Sequence, residues 1–230
     1  SHAPATAAAT RDAYTPPMVS QAFDTAGWPT RELILLHASR LFAGRGFLGT
    51  STRDIASAVG IRQPSMYSHF PSKHAIAEEL LRRDLHAGIE ALQRCAQDPA
   101  GPAVQLYRYL LWEVTYVRET PFDLRALYLG ELLDLPEFEH GRRLNSEYEA
   151  LLAGIIRSGI ETQEFVATDV AFAQRAVDAI ILEAIRCSGD RRQHRILDEP
   201  DMAAAFVVRA LLRVPSRLPR VQAAAHRAGS

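Results

Sequence analysis

The chain has 230 residues, a formal net charge of −1 and 47% hydrophobic side chains, enough for one medium or two small domains with a real core. A chain this close to neutral does not coat nucleic acid indiscriminately, so any nucleic-acid surface has to be a local patch. Its two cysteines, Cys95 and Cys187, make no disulfide framework and match no metal spacing, and no apolar run reaches the ~18 residues that span a bilayer.

Residues 1–29 are rich in Ala, Thr and Pro without periodicity and read as a disordered arm; they lack the basic start and apolar core of a signal peptide. With two unpaired cysteines, this fits a cytoplasmic protein. From residue 30 the pattern is helical almost throughout. The first helix is expected from an N-cap at Thr30 to about residue 45, with Ile34, Ala38, Leu41 and Phe42 on one face and Gly46 at its end. Two very short helices, 52–59 and 64–70, come next. Ser51 and Asp54 suit a capping box, and Pro64 suits a first turn, where its missing N–H costs nothing. A long helix follows from Lys73 to about Ala96, striped by Ile76, Leu80, Leu85, Ile89 and Leu92. After the break at 98–102, helices are expected to about Glu119 and over 122–133, 137–161, 169–187 and 199–213. The reading is an all-α chain of nine helices, ending in a disordered tail over 215–230.

The segment 38–76, ASRLFAGRGFLGTSTRDIASAVGIRQPSMYSHFPSKHAI, carries the functional signal. Ile55, Val59 and Ile61 offer apolar contacts to the first helix, and Ala56 is small enough for two short helices to cross closely. Gly60 can take a positive φ at the turn between them. A helix as short as 64–70 does not hold by itself and needs its neighbours. Its open side then presents Gln63, Ser65, Tyr67 and His69, a row of hydrogen-bonding groups suited to the major groove.

This segment closely resembles the tetracycline-repressor family. The resemblance rests on Leu41-Phe42, Gly46-Phe47, Thr50-Ser51, Asp54-Ile55-Ala56, Gly60-Ile61, Tyr67, His69-Phe70 and Ser72-Lys73. Val59, Arg62 and His74 depart from the family's usual residues. The resemblance implies a homodimeric transcription regulator that binds a double-stranded DNA operator and is released from it by a small molecule. By the same resemblance, Arg53 and Gln63 read base edges, Pro64 and Ser65 meet thymine methyls or sugars, and Thr52, Tyr67, His69 and Lys73 hold phosphates. Lys73 is the only lysine among 26 basic residues and stands at a helix N-terminus, which favours that role. Over 28–85, eight basic residues face five acidic ones, a weak local excess.

The expected domains are the arm (1–29), the helix-turn-helix domain (30–76), an effector-binding and dimerisation domain (77–214) and the tail (215–230). In the second domain Trp112, Tyr116, Phe122 and Tyr128 are the candidate lining of an aromatic, mainly apolar pocket for a hydrophobic or aromatic effector, though a plain aromatic core would look the same. Glu183, amid Ile180-Ile181-Leu182 and Ala184-Ile185 with Asp178 and Arg186 nearby, is either a buried acid for a cationic ligand or, as is commoner, paired with an arginine or facing solvent. Helices 169–187 and 199–213 are candidate dimer elements, because Ala171, Ala173, Ala176, Ala179 and Ala184 interleave with Phe172, Val177, Ile180 and Ile181. No histidine pair, nucleophile elbow or Gly-rich phosphate loop is present, so no catalytic residue, metal or cofactor is expected. The rival readings are a DNA-binding scaffold whose second domain holds a protein partner and an enzyme built on a helical bundle; a cavity-free second domain would favour the scaffold.

Overall fold

The computed structural model describes residues 25–130, 132–188 and 199–227. The expected arm lies outside the described residues except for its last five, where the Trp28 N–H closes a turn on the Thr25 carbonyl at 3.1 Å. Among the described residues ten α-helices follow: α1 Thr30–Arg45, α2 Thr52–Val59, α3 Gln63–Tyr67, α4 Lys73–Ala96, α5 Pro102–Glu119, α6 Arg125–Tyr128, α7 Glu139–Glu161, α8 Val170–Cys187, α9 Pro200–Leu211 and α10 Leu218–His226. Among the described residues there is no strand, only an isolated bridge between Phe165 and Leu212.

Helices α1 to α3 close on a small core of Ile34, Leu35, Ala38, Phe42, Ile55, Ala56 and Met66, capped by Phe70 and by Ile76 of α4. Local chemistry explains the boundaries. Ser51 and Asp54 make the reciprocal capping box at the start of α2, and Gly60 ends it at φ 79° in the left-handed region. The cap of α1 differs from expectation. Thr30 is its first helical residue rather than its N-cap, and the Pro29 carbonyl takes the N–H groups of Glu32 and Leu33. A side-chain cap at Thr30 is therefore not needed to satisfy those donors.

Helix α4 is the axle of the molecule. Its first turns pack on α1, and its remainder packs on α5 and α7. Arg83 of α4 grips Glu32 of α1 with two bonds of 2.7 and 2.9 Å, while Glu79 gathers Arg31, Arg82 and Arg83 at 2.8–3.1 Å. The shared carboxylate of Glu79 is held below its usual range by these three guanidiniums, against the opposing effect of its partial burial. Ser39 adds a second tie, its Oγ accepting the Asp123 N–H at 3.1 Å where α5 turns into α6. Helices α2 and α3 are thus joined to α4 chiefly through α1.

Two expectations in the second domain are corrected. The helix expected over 122–133 is a single turn, α6, followed by a 3-10 turn at Leu132–Asp134 and another at Pro136–Phe138. Gly130 and Pro136 stand on either side of the gap, and both are poor inside a helix. The disordered tail is also wrong. Residues 215–217 form a 3-10 turn, and 218–226 form α10, which buries Val221 and Ala225 against α5. Arg108 of α5 caps it, donating to the carbonyls of Ala224 (3.0 Å), Ala225 (3.1 Å) and Arg227 (2.8 Å) while also pairing with Asp98. The donor for these three tail carbonyls comes from α5 and not from the tail, so it leaves no local signature.

Candidate DNA interface and effector cavity

Side chains of α2 and α3 meet at one polar knot. Gln63 Nε2 donates to Thr52 Oγ1 at 3.0 Å and lies 3.4 Å from the Tyr67 hydroxyl, which is itself 3.2 Å from Thr52 Oγ1. Three of the expected DNA residues therefore share one hydrogen-bond cluster at the open edge of the reader helix. Arg53, Pro64, Ser65 and His69 are exposed around it. The reader helix is shorter than expected and ends at Tyr67, so His69 lies in the turn that leads to α4. The Ser68 hydroxyl closes that turn on the Ser65 carbonyl at 2.7 Å.

Beside the knot is a shallow hollow of about 410 Å³ walled by residues 48–52, Tyr67 and residues 71–74. The N-termini of both α2 and α4 open onto it, which makes it positive without any side chain. Lys73 has a first role there that its sequence position did not reveal. Its Nζ donates to the carbonyls of Phe47 (2.8 Å), Thr50 (3.0 Å) and Leu48 (3.4 Å) and sits 4.6 Å from the centre of the Phe47 ring. The ammonium staples the loop between α1 and α2. His74, the departure from the family pattern, packs edge-on to Phe47 and stacks with Phe138, which ties this loop to the second domain.

Inside the second domain a cavity of about 440 Å³ lies among α4, α5, α6, α7 and α8. Three of the four expected aromatics line it: Trp112, Tyr116 and Tyr128. The Trp112 and Tyr116 rings stack at 5.0 Å and 14°, one helical turn apart on α5. Phe122 does not line it; it packs against the core where α5 has ended. Glu183 is likewise outside, turned outward and paired with Arg186 at 2.5 and 2.7 Å.

The acids that do face the cavity were not found from the sequence: Asp84 on α4, Glu113 on α5 and Asp178 on α8. Tyr128 donates its hydroxyl to Asp84 Oδ2, whereas Asp84 Oδ1 is sealed from solvent with no hydrogen bond. Glu113 is only 8% exposed and accepts the Tyr109 hydroxyl at 2.7 Å; that hydroxyl lies 2.6 Å from the one of Tyr148. Burial pushes all three carboxyls up, to about 6 for Asp84, about 8 for Glu113 and about 6 for Asp178, with the Asp84 charge adding to the shift of Glu113. Glu113 had a usable signal, a lone acid in the apolar run Leu110-Leu111-Trp112-Glu113-Val114. Asp178 had the same signal, a lone acid in Ala176-Val177-Asp178-Ala179-Ile180-Ile181, whereas Asp84 follows Arg82-Arg83 and only the bundle brings it inward.

Residues 34–80 match the sequence profile of bacterial regulatory proteins, tetR family. The HTH-type transcriptional repressor KstR2 of Rhodococcus jostii is 32% identical over 172 residues, covering 66% of this chain and 74% of the relative. The chain belongs to the tetR family. It is a DNA-binding transcription regulator, and its helix-turn-helix is α2 and α3. Among solved structures, PfmR of Thermus thermophilus, a TetR family regulator, superposes with a TM-score of 0.66 at 28% identity, covering 78% of this chain and 99% of that one. AibR, solved with isovaleryl coenzyme A and operator DNA, shares the fold with a TM-score of 0.67 at 19% identity, covering 80% and 98%. No described helix is long and apolar enough to cross a membrane, and the described residues hold no metal-binding cluster.

Proposed function

We propose that this regulator is a homodimeric repressor released from its operator when a small molecule fills the cavity between α4, α5, α7 and α8. The observation that carries the reading is the course of α4. It starts at the hollow beside the reader helix with Lys73 and passes the cavity with Asp84, Leu85 and Gly88. A ligand that reorients the cavity stretch of α4 moves the reader helices, provided it binds the two geometries unequally. AibR, of the same fold, was solved with a small-molecule ligand and DNA together, which supports the pairing of functions. The cavity itself disfavours a scaffold that binds only a protein partner.

In this reading Gln63 and Arg53 read base edges, and Pro64 and Ser65 touch sugars or thymine methyls. Thr52, Tyr67 and His69 hold phosphates, with Lys73 adding charge from the wall of the hollow. Residues 30–76 are the DNA-binding domain, and the effector and dimer domain runs from 77 through α10 rather than stopping at 214. The dimer face is α8 with α9. Phe172 and Phe206 are 64% and 67% exposed there, with Leu182 and Met202 also open. Of the interleaved residues of α8, Ala173, Val177, Ile181 and Ala184 are buried in the protomer, Ile180 is half-buried, and Ala171, Phe172, Ala176 and Ala179 are exposed and open to a second copy. The protein acts in the cytoplasm, where the DNA is, and catalyses no reaction.

Selection from random duplex DNA tests this. The expected product is a two-fold operator whose half-sites lie about one or two turns apart, roughly 34 Å or slightly more, bound by a dimer. Enrichment of asymmetric single sites by a monomer would refute the dimeric reading, and no enrichment at all would refute specific DNA binding.

A further inference from the structure

The acids of the cavity set the chemistry of its occupant. Asp84, Glu113 and Asp178 converge from three helices, and Glu149 of α7 stands at the rim, its Oε1 taken by Asn145 at 2.8 Å. Arg175, exposed on α8, is the single basic residue among the described residues of the lining. Asp84 Oδ1 is buried with no close hydrogen bond, the carboxyl being held by the Tyr128 hydroxyl and more weakly by that of Tyr116, and Glu113 is more than nine-tenths buried with one oxygen on Tyr109. A few ångströms along α5, the stacked Trp112 and Tyr116 offer the π surface on which organic cations rest.

We propose that the effector is an organic monocation, a flat or apolar body carrying a protonated or quaternary amine, with its charge among Asp84, Glu113 and Asp178 and its body against Trp112 and Tyr116. This rests on the reading that the cavity is the effector site. Among the described residues an anionic ligand would meet four acids, Glu149 included, with one exposed guanidinium to offset them. A neutral ligand would leave the buried Asp84 oxygen without a counter-charge and the Asp84 and Asp178 carboxylates uncompensated. A cation supplies the missing partner and lets the carboxyls ionise against it.

Proton linkage follows. In the empty cavity burial keeps Glu113 protonated to about pH 8 and Asp84 and Asp178 to about 6. A bound cation favours their charged forms, so binding expels protons and tightens as pH rises. The other groups that face these acids are Tyr109 and Tyr116 of α5, Tyr128 of α6, Tyr148 and Glu149 of α7 and Arg175 of α8. The four tyrosines are all held above their usual range by burial and the neighbouring carboxyls, so they stay neutral throughout.

The test uses three probes of one shape on the full chain: (2-naphthylmethyl)trimethylammonium, its uncharged carbon isostere 2-neopentylnaphthalene, and the anion 2-naphthylacetate. Binding is followed by calorimetry and by Trp112 fluorescence. At pH 7.5 the cation should bind about tenfold or more tighter than the neutral isostere, with the anion weakest. Glu113→Gln and Asp178→Asn should each erase most of that preference while leaving the neutral probe's affinity intact and the chain folded, with a cooperative melting transition. Cation affinity should rise between pH 6 and 8.5, and neutral-probe affinity should not. A neutral probe that binds as well as the cation, a preference that survives both substitutions together, or no binding of any probe would overturn the proposal. If the cation binds with the expected preference yet leaves the protein on its operator, the charge assignment holds and the effector reading falls instead.

Discussion

Replacing Lys73 by Met keeps the length of the side chain and removes its charge and donors. Three interactions disappear: the bonds to Phe47 O at 2.8 Å and Thr50 O at 3.0 Å, and the longer one to Leu48 O at 3.4 Å. A charge-assisted bond contributes ~1.5–3 kcal/mol when sealed, and Lys73 is only half-buried, so about 1 kcal/mol for each short bond is reasonable. The position over the Phe47 ring adds ~0.5 kcal/mol at this exposure. The expected loss is about 2–3 kcal/mol, or about 5–10 °C in melting temperature for a chain of this size. Three carbonyls converging on one point suit a compact ammonium better than a planar guanidinium, which is a physical reason for one lysine in an arginine-rich chain. Lys73→Arg should therefore restore charge without restoring all the stability. Thermal melting gives the first quantity, and operator titration at several salt concentrations gives the second. The Met variant should also lower the salt slope by about 1 per subunit, and the Arg variant should recover that slope. A Met variant melting within about 1 °C of the parent would refute the loop-staple reasoning, whatever the DNA result.

Gln63→Ala should weaken operator binding by about 1–3 kcal/mol and leave random DNA unaffected; equal losses on both would remove Gln63 from the base readers. Phe172→Glu with Phe206→Glu should yield a folded monomer by light scattering, since both side chains are largely exposed in the protomer; a persistent dimer would move the interface elsewhere. Arg108→Met should free α10, seen as fast amide exchange over residues 218–227 and a melting point lowered by several degrees, while exchange in α2 and α3 stays as it was. The ligand-free protein should lose stability as pH rises from 5 to 8. The carboxyl of Glu113 titrates near 4.5 when unfolded and near 8 when folded, so across that window the folded state binds more protons and each pH step favours unfolding. Glu113→Gln should flatten that slope; an unchanged slope would show that another group is responsible.

Much of the DNA-binding half was legible from residue order alone, because its determinants act over a few residues. The capping box of Ser51 and Asp54, the left-handed Gly60, Pro64 in a first turn and the apolar stripes of α1 and α4 are each local requirements that particular residue types meet. The aromatic lining was legible in part for the same reason, since Trp112 and Tyr116 are one turn apart on one helix. Tertiary structure alone decided the rest. α10 exists because Arg108, more than a hundred residues earlier, ties off its last carbonyls, and nothing within 215–230 announces that. Lys73 looks like a surface cation until the loop 25 residues before it folds back onto its ammonium. Asp84, Glu113 and Asp178 are scattered across 95 positions, and only the crossing of α4, α5 and α8 brings them to one cavity, where shared burial and mutual repulsion change what each carboxyl is at neutral pH.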